Sequence, residues 1–442
     1  MEKNKIYISF YLDNSTIKDI DCRNIIDSNP GIGGTEYAII TISHLLSMQE
    51  KYKVTLYTLY KSDLLPTSIK SQKVKGLIEA IKLAEIDKQS ILVFRHAPYK
   101  CIEELKKIRT SVKLIVWCHN FAMGRWLTIY AKHPSIARIL NVGSEQLDLY
   151  RDHKAFLKSD YIYNGLDINT PPQELPIYSS RPNIVTYIGN IKREKGFHLL
   201  AQAWKRVLEE VPNAQLNVIG SGQLYDRSVK MGKYGIAESE YENYFIPYIL
   251  NEKEEILPSV HFLGIMGKEK EEIIRQTRIG VPNPSGVSET FGFTAVEMQL
   301  FGCLITTKKC AGYLDTVANT GILYNDENCL AQNIITLLKK ESNQYNKTFN
   351  FLRNNFSFEV VVKDWCLFLD SVMNNKGRIH PLSNENLDFE HKRLKDILRK
   401  IKNKIPGGYL LFPSVSCIQS IYSRVLCKCN KIRSTYLNYK HE

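Results

Sequence analysis

The sequence predicts an α/β protein with two doubly wound, Rossmann-like domains that face a cleft, followed by a basic helical tail. Three observations support this prediction. Strand-like and helix-like segments alternate in two separate regions, a proline-rich segment lies between these regions, and residues 376–442 combine positive charge with a helical repeat of apolar residues. Alternating strands and helices indicate a mostly parallel sheet that is covered by helices on both faces.

The first alternating region covers residues 1–168 and begins with the apolar run Ile6–Leu12. Runs rich in Val, Ile and Leu follow at intervals, and segments with helical periodicity separate them. The later predicted strands are Val54–Leu59, Ser90–Phe94 and Leu114–Cys118, and the predicted helices include Thr35–Met48 and Cys101–Arg109. These elements predict an N-terminal doubly wound domain.

A second alternating region covers residues 183–355, after a linker at residues 169–182 that proline makes stiff. Residues 356–375 are predicted to form one more amphipathic helix. Ligands of doubly wound sheets bind at the carboxyl ends of the strands, so the cleft between the domains is the expected site. The predicted strands are Ile184–Gly189, Leu216–Gly220, Val260–Leu263, Ile279–Pro282 and Leu304–Thr306, with a helix at Gly196–Glu210.

The composition is that of an ordinary globular protein, with 44% hydrophobic and 24% charged residues in a chain of 442. No apolar run approaches the roughly eighteen residues that a membrane-spanning helix needs. The N-terminus lacks the apolar core of a signal peptide, and the ten cysteines have no framework spacing. We therefore expect a cytoplasmic protein with reduced cysteines.

The segment Pro284–Glu297 holds two glutamates, Glu289 and Glu297, eight positions apart. A loop of Pro, Ser and Gly leads here into a segment of helical character. A helix that begins near Phe291 would leave its first backbone N–H groups free to hold a phosphate. One carboxylate could then hold a sugar and the other a ribose, with a diphosphate between them.

This segment, with Glu289, Phe291, Gly292 and Glu297 in order, resembles the donor-site motif of retaining GT-B glycosyltransferases of the family 4 type, or group 1. The resemblance covers about residues 5–373 and implies a GT-B fold whose first domain lies on the acceptor side and whose C-terminal helix crosses back to that domain. It implies that Glu289 is catalytic and holds the donor sugar and that Glu297 holds the ribose. The residues that it implies for donor binding are Glu289, Thr290, Phe291, Gly292, Phe293 and Glu297.

The sequence Gly33-Gly34-Thr35-Glu36 follows the first predicted strand and a long loop. Glycine has no Cβ, so the backbone of Gly33 and Gly34 can approach a ligand closely. The segment resembles the first-domain loop of the same family, which implies donor binding by Gly33 and Gly34 and an acceptor-side role for Glu36. An ordinary strand-to-helix turn remains the alternative, with Glu36 favoured near the helix N-terminus by the helix dipole.

The turn Gly189–Phe197 closes the first strand of the second domain. The family has Gly-Arg here and Lys-Gly several residues later, and the two cations hold the diphosphate. Lys195 matches this pattern, whereas Asn190 replaces the arginine. Arg193 could supply the missing cation, because a guanidinium binds phosphate through two hydrogen bonds. Asn190, Arg193 and Lys195 are therefore donor-binding candidates, and a solvated basic turn is the alternative.

Two histidines end neighbouring strands of the first domain. His119 resembles the active-site histidine of the family, which implies a catalytic role through hydrogen bonds to the transferred sugar. His96 is an acceptor-side candidate, and a structural role is the alternative for both. We expect no metal and no cofactor, because the one close cysteine pair, Cys427 and Cys429, lacks further ligands at metal-binding spacing.

The tail carries most of the positive charge: fourteen Lys and Arg against five Asp and Glu give residues 376–442 a net charge of +9, out of +13 for the whole chain. Leu394, Ile397, Leu398 and Ile401 recur at helical spacing, which predicts a basic amphipathic helix. Residues 391–440 could bind an anionic membrane surface, pack on the protein itself or bind an acidic partner. No nucleic-acid recognition motif accompanies the charge.

These features together predict a retaining glycosyltransferase that uses a nucleotide-sugar, with UDP as the expected nucleotide, and that acts on a glycan or lipid-linked acceptor in bacterial surface polysaccharide synthesis. The expected location is the cytoplasm, with peripheral binding to the inner face of the cell membrane. Two alternatives stay open. One is a non-catalytic GT-B scaffold, which the replacement at Asn190 favours; the other is an NAD-dependent oxidoreductase, although the glycines at 31–34 do not continue into its phosphate-binding pattern.

Overall fold

The structure is a computed structural model that describes residues 5–97, 101–122, 124–168, 171–172, 175–223, 229–382, 385–419, 421–422 and 425. Two parallel sheets with flanking helices form two domains, which confirms the predicted α/β fold class. Four residues of the predicted linker, residues 169, 170, 173 and 174, lie outside the described residues.

Within the described residues, the first sheet has seven parallel strands in the order β3-β2-β1-β4-β5-β6-β7. Its strands are β1 (Ile6–Leu12), β2 (Tyr52–Thr58), β3 (Lys70–Lys73), β4 (Ile91–Arg95), β5 (Lys113–Cys118), β6 (Ile136–Asn141) and β7 (Ser159–Tyr161). The helices of this domain are α1 (Gly34–Ser47), α2 (Leu77–Ile86), α3 (Ile102–Lys107), α4 (Arg125–Lys132) and α5 (Ser144–Asp148). The central strands read as continuous apolar runs because helices bury both of their faces.

The strand order of the first sheet reverses at β1. Ile8 of β1 lies opposite Val54 of β2 on one side and opposite Ile91 of β4 on the other. The loops that leave β1 and β4 therefore diverge to opposite faces of the sheet and leave a crevice at its carboxyl edge. This crevice faces the second domain.

The second sheet shows six parallel strands over the same described ranges, in the order β10-β9-β8-β11-β12-β13. Its strands are β8 (Ile184–Ile188), β9 (Gln215–Ile219), β10 (Val260–Gly264), β11 (Ile279–Gly280), β12 (Leu304–Lys308) and β13 (Ile322–Tyr324), and its helices are α6 (Phe197–Glu210), α7 (Ser239–Phe245), α8 (Lys270–Gln276), α9 (Phe293–Leu300), α10 (Ala311–Thr316) and α11 (Leu330–Leu338). The order reverses between β8 and β11, so the loops after these two strands lie side by side.

The chain returns to the first domain through α12 (Tyr345–Phe356) and α13 (Phe358–Met373). The helix predicted over residues 356–375 corresponds to α13, which begins at Phe358. The hydroxyl of Ser357 accepts a hydrogen bond from the backbone N–H of Val360 and caps this helix. Trp365 of α13 packs against the ring of Trp117 in β5. Helix α13 therefore contacts the first domain at β5.

One apolar cluster continues from the first domain into the second. It contains Phe10 and Trp117 from the first sheet, Trp365 from α13, and Phe291 and Val296 from the start of α9. Because burying apolar surface stabilises any contact that excludes water, this shared cluster holds the two domains in contact below the cleft.

The tail packs on the first domain through α14 (Lys392–Lys404) and α15 (Gly408–Leu411). The buried side chains of α14 are lysines: Lys392 lies 2.5 Å from Glu145, and Lys402 lies 2.9 Å from Asp152. Leu394, Ile397 and Ile401 are exposed on the other side. The predicted amphipathic helix is thus present, and it contacts its own protein through its charged side.

No helix in the described part of the chain is both long and apolar enough to cross a membrane. In the same ranges, no group of three or more His, Cys, Asp and Glu side chains is arranged to hold a metal ion. Cys427, Cys429 and the end of the predicted membrane-binding segment, from residue 426 onward, lie outside the described residues.

Candidate active site

A cavity of about 390 Å³, here called the interdomain cavity, lies between the two domains. It sits where the sheet reverses between β8 and β11, as expected for a doubly wound domain. Six of the residues predicted for the site line this cavity: Gly34, Asn190, Lys195, Glu289, Phe293 and Glu297.

The loop that leads from β11 into α9 has an unusual backbone. Asn283, Gly286, Ser288 and Gly292 all have positive φ, of 36°, 65°, 57° and 88°. Positive φ is rare for residues other than glycine, and such strained positions concentrate at functional sites. The loop therefore folds into one specific shape that directs the Glu289 side chain to the cavity.

The helix that follows this loop begins at Phe293, so the predicted start near Phe291 is wrong by two residues. The cause is Gly292, which adopts a left-handed conformation as the N-cap. A Cβ at Gly292 would lie 2.6 Å from the ring of Tyr313, so the chain can turn here only with glycine. The first turn of α9 still faces the interdomain cavity, since Phe293, Thr294 and Glu297 line it.

Glu289 and Lys195 form an ion pair of 2.9 Å across the interdomain cavity wall. Asn283 donates a second hydrogen bond, also of 2.9 Å, to the same carboxylate oxygen of Glu289. Both charged side chains keep part of their surface in contact with the cavity. The pair can therefore exchange partners with an incoming ligand without burying an unpaired charge.

Glu297 forms a second ion pair, with Lys270 of α8, at 2.9 Å. Because Glu297 lies in the second turn of α9 and Glu289 precedes the helix, the two pairs are separated along the cavity wall. Each pair presents one carboxylate, which can accept sugar or ribose hydroxyl groups, and one ammonium, which can bind a phosphate oxygen.

Asn190 is buried, and neither its side-chain oxygen nor its nitrogen has a hydrogen-bond partner within the described residues. Leaving a buried amide unpaired costs about 1–3 kcal/mol for each group. Since Asn190 lines the interdomain cavity, a ligand there could supply both partners. The amide provides a donor and an acceptor where the resemblance predicted a cation.

Gly34 opens α1 directly opposite Phe293 of the second domain. A Cβ at Gly34 would lie 2.9 Å from the Phe293 ring, so this glycine permits the close approach of the two domains. Gly33 is the N-cap of α1 and is not among the residues that line the interdomain cavity.

Several predicted residues lie outside the interdomain cavity. The guanidinium of Arg193 stacks over the ring of Tyr244, 4.3 Å from its centroid. Glu36 pairs with Arg95 at 2.9 Å. A role in donor or acceptor binding for Arg193 and Glu36 stays a prediction.

The two histidines are both buried. Nδ1 of His96 lies 2.8 Å from the hydroxyl of Tyr130, and burial lowers the pKa of His96 to about 4. Burial also lowers the pKa of His119 to about 3, with a smaller contribution from Arg95. Nε2 of His119 has no hydrogen-bond partner in the described ranges. At neutral pH both imidazoles are therefore uncharged.

The rest of the motif joins the domains. Thr290 donates a 2.7 Å hydrogen bond to the backbone carbonyl of His119, which ties the motif to the end of β5. Phe291 is buried in the shared apolar cluster, and Gly292 sets the turn into α9. In this structure these three residues support the interdomain cavity and do not line it.

A further contact between the domains involves Asp315 of α10. Its carboxylate accepts hydrogen bonds from the Ser144 hydroxyl at 2.6 Å, the Glu145 backbone N–H at 3.0 Å and the Tyr163 hydroxyl at 3.0 Å. Asp315 thus caps α5 of the first domain. Burial raises the pKa of Asp315 to about 6.

Sequence reasoning missed Lys268, Lys270, Arg275 and Asn283, which also line the interdomain cavity. Lys268 and Lys270 follow the carboxyl end of β10, so the rule that ligands bind at strand ends could have indicated them. Asn283 follows β11 by the same rule. No comparable signal marks Arg275, which lies within α8.

Residues 182–340 match the family model described as glycosyl transferases group 1. Over most of its length, the chain resembles solved structures of the same two-domain architecture. The chain has the GT-B fold. The GT-B structures that it resembles include sucrose-phosphate synthase from Thermosynechococcus elongatus, with a TM-score of 0.60 at 14% identity, covering 84% of this chain and 100% of that one.

Two further GT-B structures have similar scores. A glycosyltransferase from Rickettsia africae has a TM-score of 0.60 at 14% identity, and the match covers 85% of this chain and 100% of the Rickettsia chain. HepE from Anabaena, in complex with UDP-glucose, has a TM-score of 0.59 at 14% identity, and the match covers 83% of this chain and 100% of the HepE chain. No curated protein matches the chain in sequence.

In the GT-B cleft of this chain, cationic side chains concentrate on the wall that the second domain supplies. Carboxylates alternate with them, so an anionic ligand would meet an ammonium or guanidinium next to a hydrogen-bond acceptor. The charged residues of this wall are Lys195, Lys268, Lys270, Arg275, Glu271, Glu289 and Glu297.

Proposed function

We propose that the protein is a retaining glycosyltransferase that moves a sugar from a UDP-linked donor to a glycan acceptor. The main support is the Lys195–Glu289 pair, which faces an open cavity at the reversal of the second sheet. This pair lies inside the region that matches the group 1 glycosyltransferase model. HepE, which shares the fold, is described in complex with UDP-glucose, and this favours UDP as the nucleotide.

The two ion pairs suggest how the donor lies in the interdomain cavity. The diphosphate would lie between Lys195 and the first turn of α9, whose backbone N–H groups favour an anion. The ribose hydroxyls would bind Glu297, and its partner Lys270 would turn toward the nucleotide. The sugar hydroxyls would bind Glu289, which Asn283 already orients.

The transfer breaks the bond between the anomeric carbon and the phosphate oxygen. The acceptor hydroxyl forms the new bond on the same face, and the leaving phosphate oxygen takes its proton. No protein nucleophile is required. Lys195 stabilises the negative charge that develops on the diphosphate, and a preorganised cation of this kind acts strongly where water is largely excluded.

His119 fits a role as a hydrogen-bonding group at the sugar. Since burial keeps its imidazole uncharged at neutral pH, it can donate or accept one hydrogen bond without adding charge beside the reacting carbon. Asn190 would pair its free amide with a phosphate oxygen in place of the arginine found in the family.

The acceptor is expected to enter from the first-domain side, near Gly33 and Gly34, with His96 and Glu36 as further candidates. We propose a lipid-linked glycan of a bacterial surface polysaccharide as the acceptor. The exposed apolar side chains of the tail support this assignment, because a lipid-linked acceptor is reached at a membrane surface.

A panel of UDP-sugars tests the proposal by measuring donor hydrolysis and, with glycan acceptors, transfer. We expect Lys195→Ala and Glu289→Ala each to lower kcat by about 10²–10³-fold, the usual cost of removing a group that stabilises transition-state charge. The matched controls are Lys339→Ala and Glu210→Ala. These residues form a surface ion pair of 3.1 Å on the same domain, so their loss should leave kcat unchanged.

Full activity in the Lys195→Ala and Glu289→Ala variants would refute the proposed site. Binding of UDP-sugars by the natural chain without any turnover would favour the non-catalytic GT-B scaffold. Hydride transfer from a nicotinamide would favour an oxidoreductase.

We also propose that the tail binds an anionic membrane surface. Its exposed side combines the apolar side chains of Leu394, Ile397 and Ile401 with the exposed basic residues Arg393 and Lys404, which is the pattern that anionic lipid attracts. The full chain should sediment with vesicles that contain phosphatidylglycerol and less with neutral vesicles. Replacing the three apolar residues by Gln should abolish sedimentation, and unchanged sedimentation would refute the proposal.

A further inference from the structure

A second cavity, of about 300 Å³ and here called the tail cavity, lies where the two domains and the tail meet. The first domain contributes Phe121 and Leu149, and the second domain contributes the segment Lys309–Ala311. The tail closes the cavity with Phe389 and Lys395, among other residues. Because three parts of the chain form its walls, the tail cavity exists only in the complete fold.

Lys395 of α14 is fully buried at 0% exposure, yet its ammonium has no hydrogen-bond partner among the described residues. Burial without a partner lowers its pKa. Lys392 and Lys402 of the same helix are buried as well, but both lie in ion pairs. An unpaired buried ammonium is unfavourable, and a bound anion would supply the partner that it lacks.

The other charges around Lys395 do not provide this partner. Asp148 pairs with Arg151 and Lys392, and Asp152 pairs with Lys402. Glu390 is the carboxylate that acts most strongly on Lys395; it lines the tail cavity and is exposed, and no ion pair joins the two within the described residues.

A second cation lines the tail cavity. Lys309 is partly exposed, and its ammonium lies 5.7 Å from the centre of the Phe389 ring. Lys309 comes from the second domain and Lys395 from the tail, so two cationic residues from different parts of the chain line one cavity. A doubly charged phosphate group suits this arrangement better than a single carboxylate.

The tail cavity adjoins the interdomain cavity. Gly286 lines the tail cavity, whereas Asn283 and Glu289 of the same loop line the interdomain cavity. Phe121 follows His119 by two residues. A ligand group in the tail cavity would therefore lie just across the 283–289 loop from the proposed sugar site.

We propose that the tail cavity binds a phosphate group through Lys395 and Lys309. This phosphate is either part of the acceptor, which would extend from the interdomain cavity, or free phosphate that binds next to it. The assignment to an acceptor rests on the proposed glycosyltransferase function, whereas the phosphate site itself does not.

Calorimetric titration of the full chain with inorganic phosphate and with decyl phosphate tests the proposal without any donor. We expect saturable binding of at least one of them, and Lys395→Met should weaken it at least tenfold. Lys309→Met should weaken it to a smaller extent. Lys400→Met is the matched control, because Lys400 lies on the same helix, is exposed and pairs with Asp396; it should bind phosphate as the natural chain does.

Thermal unfolding in phosphate-free buffer separates the proposal from a purely structural role of Lys395. If the ammonium lacks a partner, Lys395→Met removes a desolvation cost and should not lower the Tm. Phosphate should then raise the Tm of the natural chain and not that of Lys395→Met. A lowered Tm together with unchanged phosphate binding would overturn the proposal. Should Lys395→Met fail to fold, undiminished binding by Lys309→Met would overturn it instead.

The two phosphate probes distinguish the sources. Tighter binding of decyl phosphate would assign the group to a lipid-borne acceptor, and equal binding would assign it to free phosphate. Absence of binding by either probe would overturn the site. Donor hydrolysis by the natural chain is measured separately, so failure of the proposed enzymatic function and failure of the phosphate site give different results.

Discussion

The interdomain cavity and the contact between the tail and the first domain both depend on Lys–carboxylate pairs, but they differ in their access to water. In the interdomain cavity, the side chains of Lys195 and Glu289 are 27% and 16% exposed. In the tail contact, those of Lys402 and Asp152 are 1% and 0% exposed.

This difference in exposure determines which ion pairs can replace one partner by a ligand. A pair that reaches water can lose one partner to a ligand, because solvent and the ligand share the cost of separating the ions. A fully buried pair cannot, since each ion would face a large desolvation penalty alone. The cavity pairs are therefore suited to binding, and the tail pairs are suited to holding the tail on the first domain.

The largest effect is expected when one partner of a fully buried ion pair is removed. Lys402→Met should lower the free energy of unfolding by about 3–5 kcal/mol, because Asp152 would remain buried without its counter-ion. Lys402 also donates to the backbone carbonyls of Asp152 and Pro413, so these acceptors would lose a partner as well. Urea denaturation followed by tryptophan fluorescence measures the change.

The double variant Lys402→Met with Asp152→Asn is the control for this prediction. It removes both charges, so most of the lost stability should return. A cost below about 1 kcal/mol for Lys402→Met alone would show that the tail pairs are as exchangeable as those of the cavity.

The second prediction concerns Asp315, a buried carboxyl between the two regions. Its pKa of about 6 lies above the ordinary value of 3.8, so the folded protein holds this proton more tightly than the unfolded chain does. The contribution of this raised pKa to the free energy of unfolding is fully present below pH 4 and is lost as the pH rises to 6. The expected loss is on the order of 2–3 kcal/mol.

Comparing the natural chain with Asp315→Asn isolates this effect, because asparagine does not titrate. The difference in free energy of unfolding between the two chains should shrink as the pH rises from 4 to 6. Glu145, whose pKa is raised to about 7 mainly by burial and in smaller part by the Asp315 carboxylate, loses that smaller contribution in Asp315→Asn. A difference that is constant with pH would contradict the assigned cause.

The sequence could predict the fold because its signals are local and repeated. Strand β1 is predicted from Ile6 to Leu12 and has the same bounds in the structure. The helix predicted over residues 356–375 begins two residues later in the structure, at Phe358, because the hydroxyl of Ser357 caps it. The amphipathic pattern of the tail helix was also correctly predicted. The sequence did not indicate that the charged side of this helix, and not its apolar side, contacts the protein.

The candidate site could be predicted where a motif fixed the backbone. Lys195 and Glu289 were each predicted to bind the donor, and the structure places their charged groups 2.9 Å apart, in the loops after β8 and β11. Lys270 was missed because its pairing with Glu297 depends on how α8 packs against α9. Sequence spacing carries no information on that packing. The orientation of the tail depends in the same way on distant carboxylates, such as Glu145 and Asp152.

The smallest expected effect concerns Lys270, a residue of the interdomain cavity that the sequence did not indicate. Lys270→Met should weaken binding of UDP about tenfold, or roughly 1.4 kcal/mol, by removing one charged hydrogen bond to the nucleotide. The free energy of unfolding should change by less than about 1 kcal/mol, since Glu297 can reach water in the cavity. Calorimetry with UDP and urea denaturation give the two values.

Lys270→Arg is the matched control, because it keeps the positive charge and should retain most of the affinity for UDP. If Lys270→Met instead destabilised the protein as much as Lys402→Met, the pair with Glu297 would be structural. Exposure of only 8% and 16% for Lys270 and Glu297 makes this variant the most demanding test. A small loss of stability in Lys270→Met would show that this limited exposure to water is enough for an ion pair to exchange one partner for a ligand.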